Sequence, residues 1–431
     1  MYCAHHRRRA GKIARGNNVS LQREMKQSTA ALMAPYRQFF ALPDIPAMIL
    51  GAWLSRMPIS MNALSMLLFL RELLGNFEQA GTIVGTFFVA MAITAPLMGR
   101  MIDSVGPRRL LMVAGSLHPV LMLVLFLTVN AGATLAWLYA IAFAAGALAP
   151  PSTVITRTVW RHRFTEETAR KMAFSIDSIM IEFNFTVGPL LVAGLVAAFN
   201  PRVAFASVIG ISSLATIIFF ASPILKYWQQ EPPSERHLLG PLTNLKLVWL
   251  FTLTFGMTFC FGLLEVGYPA YATSIGWVAF GGILLAVNSL GSAVGGFVYG
   301  ALHVRLSLER QFAFALGIMA IPLFLHGVVD QQFLFGTMAF LAGCLIAPAF
   351  TAQTLLVTRI TPAKYATEAF TWSSTFIVIG LGIGTAVGGV IAENVHIKAP
   401  FVLAGAIVAV MSFWALWMKP QEVRPGEVVK A

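Results

Sequence analysis

From Ile45 to about residue 418 the chain alternates long apolar runs with short polar breaks. A membrane span needs about 20 mainly apolar residues. The pattern predicts twelve transmembrane helices, over 45–69, 79–99, 109–130, 134–156, 172–198, 203–222, 246–270, 276–301, 311–328, 332–357, 368–392 and 399–418. Strands of about ten residues with alternating polarity, the mark of a barrel, are not seen. Lipid forces helices, because every backbone polar group must find its partner within the protein. The expected fold class is therefore an all-α integral membrane protein.

The polar segments divide the chain. A basic tail covers 1–44, a first six-helix half 45–222, a linker 223–245, a second half 246–418 and a short tail 419–431. The linker holds Pro232-Pro233 and is the longest internal polar stretch. The first apolar run follows a long basic segment, unlike an ordinary secretory signal. Arg7, Arg8 and Arg9 in that segment can touch anionic lipid, and Met25 and Met33 stand as alternative translation starts.

The two halves show self-similarity. Helix four ends in LAPPSTVITRTVW, and helix ten reads IAPAFTAQTLLVTRI. At an offset of 196, AFSIDS (173–178) falls on AFTWSS (369–374) and Gly188 on Gly384. Internal repeats of this kind mark many secondary transporters.

Charge then fixes an expected orientation. Of 431 residues, 57% are hydrophobic and 11% charged, against about 25% charged in soluble domains. A net charge of +12 in a soluble chain would suggest a nucleic-acid partner. Here 26 of the 30 Lys and Arg residues lie on one side of the predicted spans. That is the cytoplasmic bias of membrane proteins, so no nucleic acid is expected and both termini are placed inside.

Other classes lose ground. Cys3, Cys260 and Cys344 are far apart and suggest neither a disulfide framework nor metal spacing. No G-x-x-x-x-G-K-[ST] loop for an ATP-driven pump occurs. There is no cluster of histidines and acids for a membrane enzyme, and no loop long enough for a sensor domain. No cofactor or metal is expected.

The link after helix two reads GRMIDSVGPRR (99–109). Together with twelve spans in two halves, it resembles the signature of the major facilitator superfamily (MFS). Gly99, Arg100, Asp103, Gly106, Arg108 and Arg109 fall on or beside its glycine, acid and basic positions. The resemblance covers 45–418 and implies a secondary transporter for a small molecule, working by alternating access in the inner (cytoplasmic) membrane, as a monomer. It also implies that Asp103 docks at the start of helix eleven, where a helix N-terminus attracts a carboxylate. Glu368 lies there and can pair with Arg100 or Arg108. A purely topological role for the arginines is the alternative. The matching link in the second half, GALHVRLSLER (300–310), keeps Gly300 and Arg305 but has His303 and Val304 where an acid is expected.

Two drug–proton antiporter features are weakened. The helix-four arginine position is Ala142, and helix five keeps Gly188-Pro189 but has Asn184, Val192 and Ala193 at glycine positions. The function expected is proton-coupled efflux of a small organic molecule by an antiporter. The alternatives are proton-coupled uptake of a metabolite or a non-transport membrane protein such as a scramblase.

Charges inside spans are costly and mark function or pairing. Arg56 in helix one and Glu182 in helix five lie at similar depth, so an ion pair between them is expected, with protons or substrate competing for it. Asp177 lies nearer the cytoplasm, and Glu265 lies toward the outside of helix seven. Asn184, Asn288, Trp53 and Tyr268 are cavity candidates. Small residues at spacing four in helices two, eight and eleven, including Gly81, Gly85, Gly291, Gly295, Gly380, Gly384 and Gly388, predict smooth contacts between the halves.

Overall fold

The computed structural model describes residues 39–229, 240–302, 304–362 and 365–417. The predicted spans are all present. They are α1 Ile45–Leu74, α2 Phe77–Val105, α3 Pro107–Asn130, α4a Leu135–Ala147 with α4b Ser152–Arg163, α5 Glu167–Ala198 and α6 Pro201–Ala221. The second half has α7 Leu245–Ser274, α8 Phe280–Ala301, α9 Leu308–His326, α10a Gln332–Gly343 with α10b Ile346–Ile360, α11 Ala366–Asn394 and α12 Ala399–Leu416. The stretch 1–38 and the tail from 418 lie outside the described residues.

Local chemistry sets the ends. Gly75 stops α1 at φ +86°, a conformation open to glycine. Asn76 then caps α2, its side chain accepting from the Gln79 N–H at 2.8 Å. The helix runs on through Arg100 to Val105, so the charged link is mostly helix rather than loop. Gly106, at φ +84°, makes the turn, and Pro107 opens α3, where its missing N–H costs nothing.

Two spans expected to be continuous are broken. In α4, Pro150-Pro151 interrupts the helix between Ala147 and Ser152. Pro151 has no N–H and pushes the residue before it out of the helical region. In α10 the interruption falls at Cys344 and Leu345. At the offset of 196, Ala147 falls on Gly343, so both halves break at the same place. The helices continue through Pro58, Pro189 and Pro269.

The halves meet through α2 against α11 and α5 against α8. A Cβ on Gly85 would come within 2.5 Å of Gly382 O, and one on Gly389 within 2.3 Å of Phe77 O. On α5, Pro189 and Ala193 touch Gly282 of α8. All these contacts lie toward the end where α1 finishes and α2 begins. There the Phe77 N–H donates to Glu393 Oε2 at 2.9 Å, and Asn394 donates to Glu78 Oε2 at 2.8 Å.

The glycine expectation is met only in part. Gly81 and Gly85 do face α11, but Gly380 and Gly384 pack on Thr258 and Phe259 of α7 within the second half. Gly291 and Gly295 lie against Phe340 and Cys344 of α10a and the break that follows it. A four-residue spacing identifies a smooth face but not the helix that covers it.

Toward the opposite end, which carries Ile45 and Leu416, the halves part. One hydrophobic cluster there, built around Ile45, Met48, Ile102, Trp160 and Phe219, is drawn entirely from the first half. Beyond Val89, α2 leaves α11 and lines a cavity with Met91, Thr94 and Met98, facing Ser374 and Val378. The molecule is thus two bundles in contact at one end and separated toward the other.

Candidate functional site

The site builds from α5. Asp177 is fully buried, accepts hydrogen bonds from Arg157 and Trp160, and forms an ion pair with Arg56. Arg56 Nη2 lies 2.7 Å from Oδ1, Arg157 Nε 3.0 Å from Oδ2 and Trp160 Nε1 3.3 Å from Oδ1. Arg56 is itself 3% exposed, and none of its three guanidinium nitrogens has a hydrogen-bond partner, so its contact with Asp177 is an ion pair alone. Arg56 and Asp177 form a buried pair, and the second guanidinium, Arg157, is about half exposed and adds one positive charge at the solvent-facing side of the cluster.

Arg56 therefore pairs with Asp177 and not, as expected, with Glu182. Helix phase is the reason. Asn184 is two turns from Asp177 and shares its face; its Nδ2 donates to Trp53 O of α1 at 3.2 Å. Glu182 lies on another face, seven and eleven residues before Pro189 and Ala193, which touch α8. That stripe points at the opposite half, and at the level of Glu182 the halves have separated. Glu182 is exposed and, among the described residues, has no ion pair.

Glu265 on α7 is partly exposed and likewise has no ion pair among the described residues. It follows Phe261 by one turn, and the Phe261 ring packs on Phe350 of α10b at 5.8 Å. The other cavity candidates divide. The Trp53 ring lies 5.8 Å from that of Phe183, tilted by 43°, with its Nε1 unpartnered. Asn288 donates to Ala339 O at 2.9 Å and ties α8 to α10a. Tyr268 is fully buried among His326, Phe335 and Phe401, so it belongs to the packing of the second half.

Around the signature link, Arg100, Arg108 and Arg109 are exposed. Gly99 has no neighbour within 4 Å of an added Cβ. The Asp103 side chain and His303 lie outside the described residues. Glu368 is 8% exposed, and among the described residues it forms no ion pair with Arg100 or Arg108 in this conformation. The link lies at the end where the halves have parted, out of reach of such a contact.

The repeat carries a pair that the sequence reading missed. At the offset of 196, Arg157 falls on Gln353 and Asp177 on Ser373. Gln353 Nε2 donates to Ser373 Oγ at 2.9 Å, buried. The same helix–helix contact is thus ionic in the first half and neutral in the second. The alignment of AFSIDS with AFTWSS held the signal for one member of each pair.

Outside the spans, Asp44 receives Arg163 Nε at 3.0 Å. Burial pushes its carboxyl up, but the hydrogen bonds from Arg163 and Tyr227 outweigh this and hold it below its usual value. Among the described residues no group of three His, Cys, Asp or Glu side chains could hold a metal ion.

A family model described as Major Facilitator Superfamily matches residues 48–329 and 278–431. The chain is 24% identical over 348 residues to "Multidrug resistance protein MdtG" of Proteus mirabilis (strain HI4320), covering 78% of this chain and 84% of that one. It is 24% identical over 429 residues to the uncharacterized MFS-type transporter y4rN of Sinorhizobium fredii (strain NBRC 101917 / NGR234), covering 90% and 98%. Among solved structures it resembles a mutant form of the nucleoside transporter NupG, with a TM-score of 0.69 at 11% identity, over 86% of this chain and 98% of that one.

Proposed function

The chain belongs to the major facilitator superfamily, and from that premise we propose that it exports a small organic molecule by proton-coupled alternating access. The observation that carries the reading is Glu182, an exposed carboxylate without an ion pair on a helix face aimed at the opposite half. Asp177, by contrast, is already paired with Arg56 and Arg157. Glu265 is a second candidate carrier on the other half. An unpaired carboxylate in a cavity can take up a proton on one side and release it on the other, since burial and a changing charge environment shift its affinity. Relatives named as multidrug resistance proteins support the outward direction.

The positive charge bias supports assigning the end with Ile45 and Leu416 to the cytoplasm. The conformation is then open inward and closed outward. The Glu393 contact to the N-terminus of α2, with the Gly85 and Gly389 approaches, forms the outer closure. Release of that closure, with Asp103 docking on α11 at the inner end, gives the opposite state.

The test is transport in proteoliposomes with an imposed pH gradient, across a panel of small organic compounds. Gradient-driven flux of at least one compound, lost in Glu182→Gln, is expected. Flux indifferent to any ion gradient would mean a uniporter. Unchanged coupling in Glu182→Gln would remove that residue from the mechanism.

A further inference from the structure

We propose that the cavity at the break in α4 binds the carboxylate of a small organic anion with an apolar body, and that this is the class of molecule carried. The second clause rests on the transport reading above. The cavity is about 210 Å³. It reaches from Ser374 and Val378 of α11 into the interior of the first bundle, as far as Ser212 of α6 and His118 of α3.

Four observations converge on it. First, the break exposes the start of α4b, twelve residues long. The Ser152 N–H goes to Pro150 O and the Ile155 N–H to Pro151 O. Among the described residues the N–H groups of Thr153 and Val154 have no such acceptor, and both residues line the cavity. A helix N-terminus with free N–H groups favours an anion. Interrupted helices at matching positions of two repeats are where transporters of this kind bind substrate.

Second, two buried polar side chains line the same cavity without partners. Asn62 is 3% exposed with Oδ1 unsatisfied, and Ser212 is 4% exposed with Oγ unsatisfied. Buried polar groups normally find partners. The Ser212 hydroxyl can donate, and so can the Asn62 amide after a half-turn of its terminal torsion brings its NH2 group into the place of the oxygen. His118 Nδ1 is 2.9 Å from Ala145 O. A carbonyl only accepts, so this nitrogen carries the proton and Nε2 is left as an acceptor, suited to a hydroxyl on the ligand.

Third, no charged side chain lines the cavity, so an organic cation would find no counter-charge. The half-exposed Arg157, paired with the buried Asp177, which also meets Arg56, adds one positive charge five residues along α4b, about 7.5 Å beyond Ser152 at the helical rise. Fourth, the remaining walls are apolar, with Ile59, Phe87, Met91, Met98 and Phe219. They suit an aliphatic or aromatic body, as small-molecule sites generally do.

The probes are three molecules of one shape: 2-naphthoate, 2-naphthamide and 2-naphthylmethylammonium. Equilibrium binding to the full-length protein in detergent, without any gradient, separates the site from transport. The naphthoate is expected to bind at least tenfold more tightly than either analogue. Ser212→Ala and Asn62→Leu should each weaken it five- to tenfold, while Ser207→Ala on the exposed face of α6 should leave it unchanged. Equal binding of the three probes, preference for the ammonium, or naphthoate affinity within twofold in both cavity variants would overturn the site. The probe series on the unaltered protein decides the matter even if a variant does not fold. Anion-selective binding by a protein that carries no compound under a gradient would leave the site standing and overturn the transport reading alone.

Discussion

Asp177 shows how one side chain settles a question that its sequence position leaves open. Position along α5 predicted Glu182 opposite Arg56, because depth was counted and helix phase was not. The structure puts Asp177 on the face of α5 that packs against α1 and α4b. Removing it by Asp177→Ala would strand a buried Arg56, and losing one partner of a buried pair costs about 3–5 kcal/mol. A lowered unfolding temperature in detergent is expected. The double change Arg56→Met with Asp177→Leu should recover most of the loss, because apolar replacement of a buried pair is often neutral. Equal instability of the single and double variants would contradict the ion-pair account. The neutral counterpart behaves differently: Gln353→Ala should cost about 1 kcal/mol, typical of one hydrogen bond. At the membrane edge, Asp44 has a lowered pKa when folded. Its contribution to stability is present above the unfolded carboxylate pKa of about 3.9 and is lost as pH falls through the lower folded value. Asp44→Asn should therefore lower stability evenly from pH 5 to 8 and narrow its gap to the parent protein only below about pH 4, as measured by unfolding midpoints across pH.

At the scale of elements, the spans were legible because each is an apolar run closed by Gly, Asn or Pro. Legibility ended where tertiary contact decides. The glycines of α8 and α11 follow the expected spacing, yet Gly291, Gly295, Gly380 and Gly384 serve contacts inside the second half. Gly382 and Gly389, off that register, meet α2. The pattern of apolar residues predicts 134–156 as one span, and the break at Pro150-Pro151, with its match at Gly343, came only with the backbone. The arginine positions repeat but their partners do not: Arg163 meets Asp44, just before α1, while Arg359, 196 residues on, lies 3.8 Å from Glu309 of α9, the counterpart of α3. The α2–α11 contact yields a prediction at this scale. Gly85→Val would set its side chain against Gly382 O, where even a Cβ falls at 2.5 Å. The ends that carry Phe77 and Glu393 should then be forced apart, and gradient-driven flux should fall at least tenfold with insertion intact. Full flux in Gly85→Val would mean that the close approach is dispensable.

At the scale of the molecule, alternation of apolar and polar segments, charge bias and a repeat of 196 residues were enough to expect two related six-helix bundles. Which end is closed was not legible, because both states use the same sequence and differ in contacts worth a few kcal/mol. The structure holds the state in which Phe77 and Glu393 meet while α2 and α11 diverge beyond Val89. Alternating access requires the other state to exist and to be reached by the same chain. The most direct test is a pair of spin-label distances in liposomes: one between Val105 and Phe370 at the end carrying Ile45, the other between Trp137 and Val328 at the opposite end. All four positions are exposed. A change of pH from 8 to 5 is predicted to shorten the first distance and lengthen the second together, and Glu182→Gln to abolish the response. Distances at both ends that stay fixed, or move in the same direction, while the protein carries substrate would contradict the account.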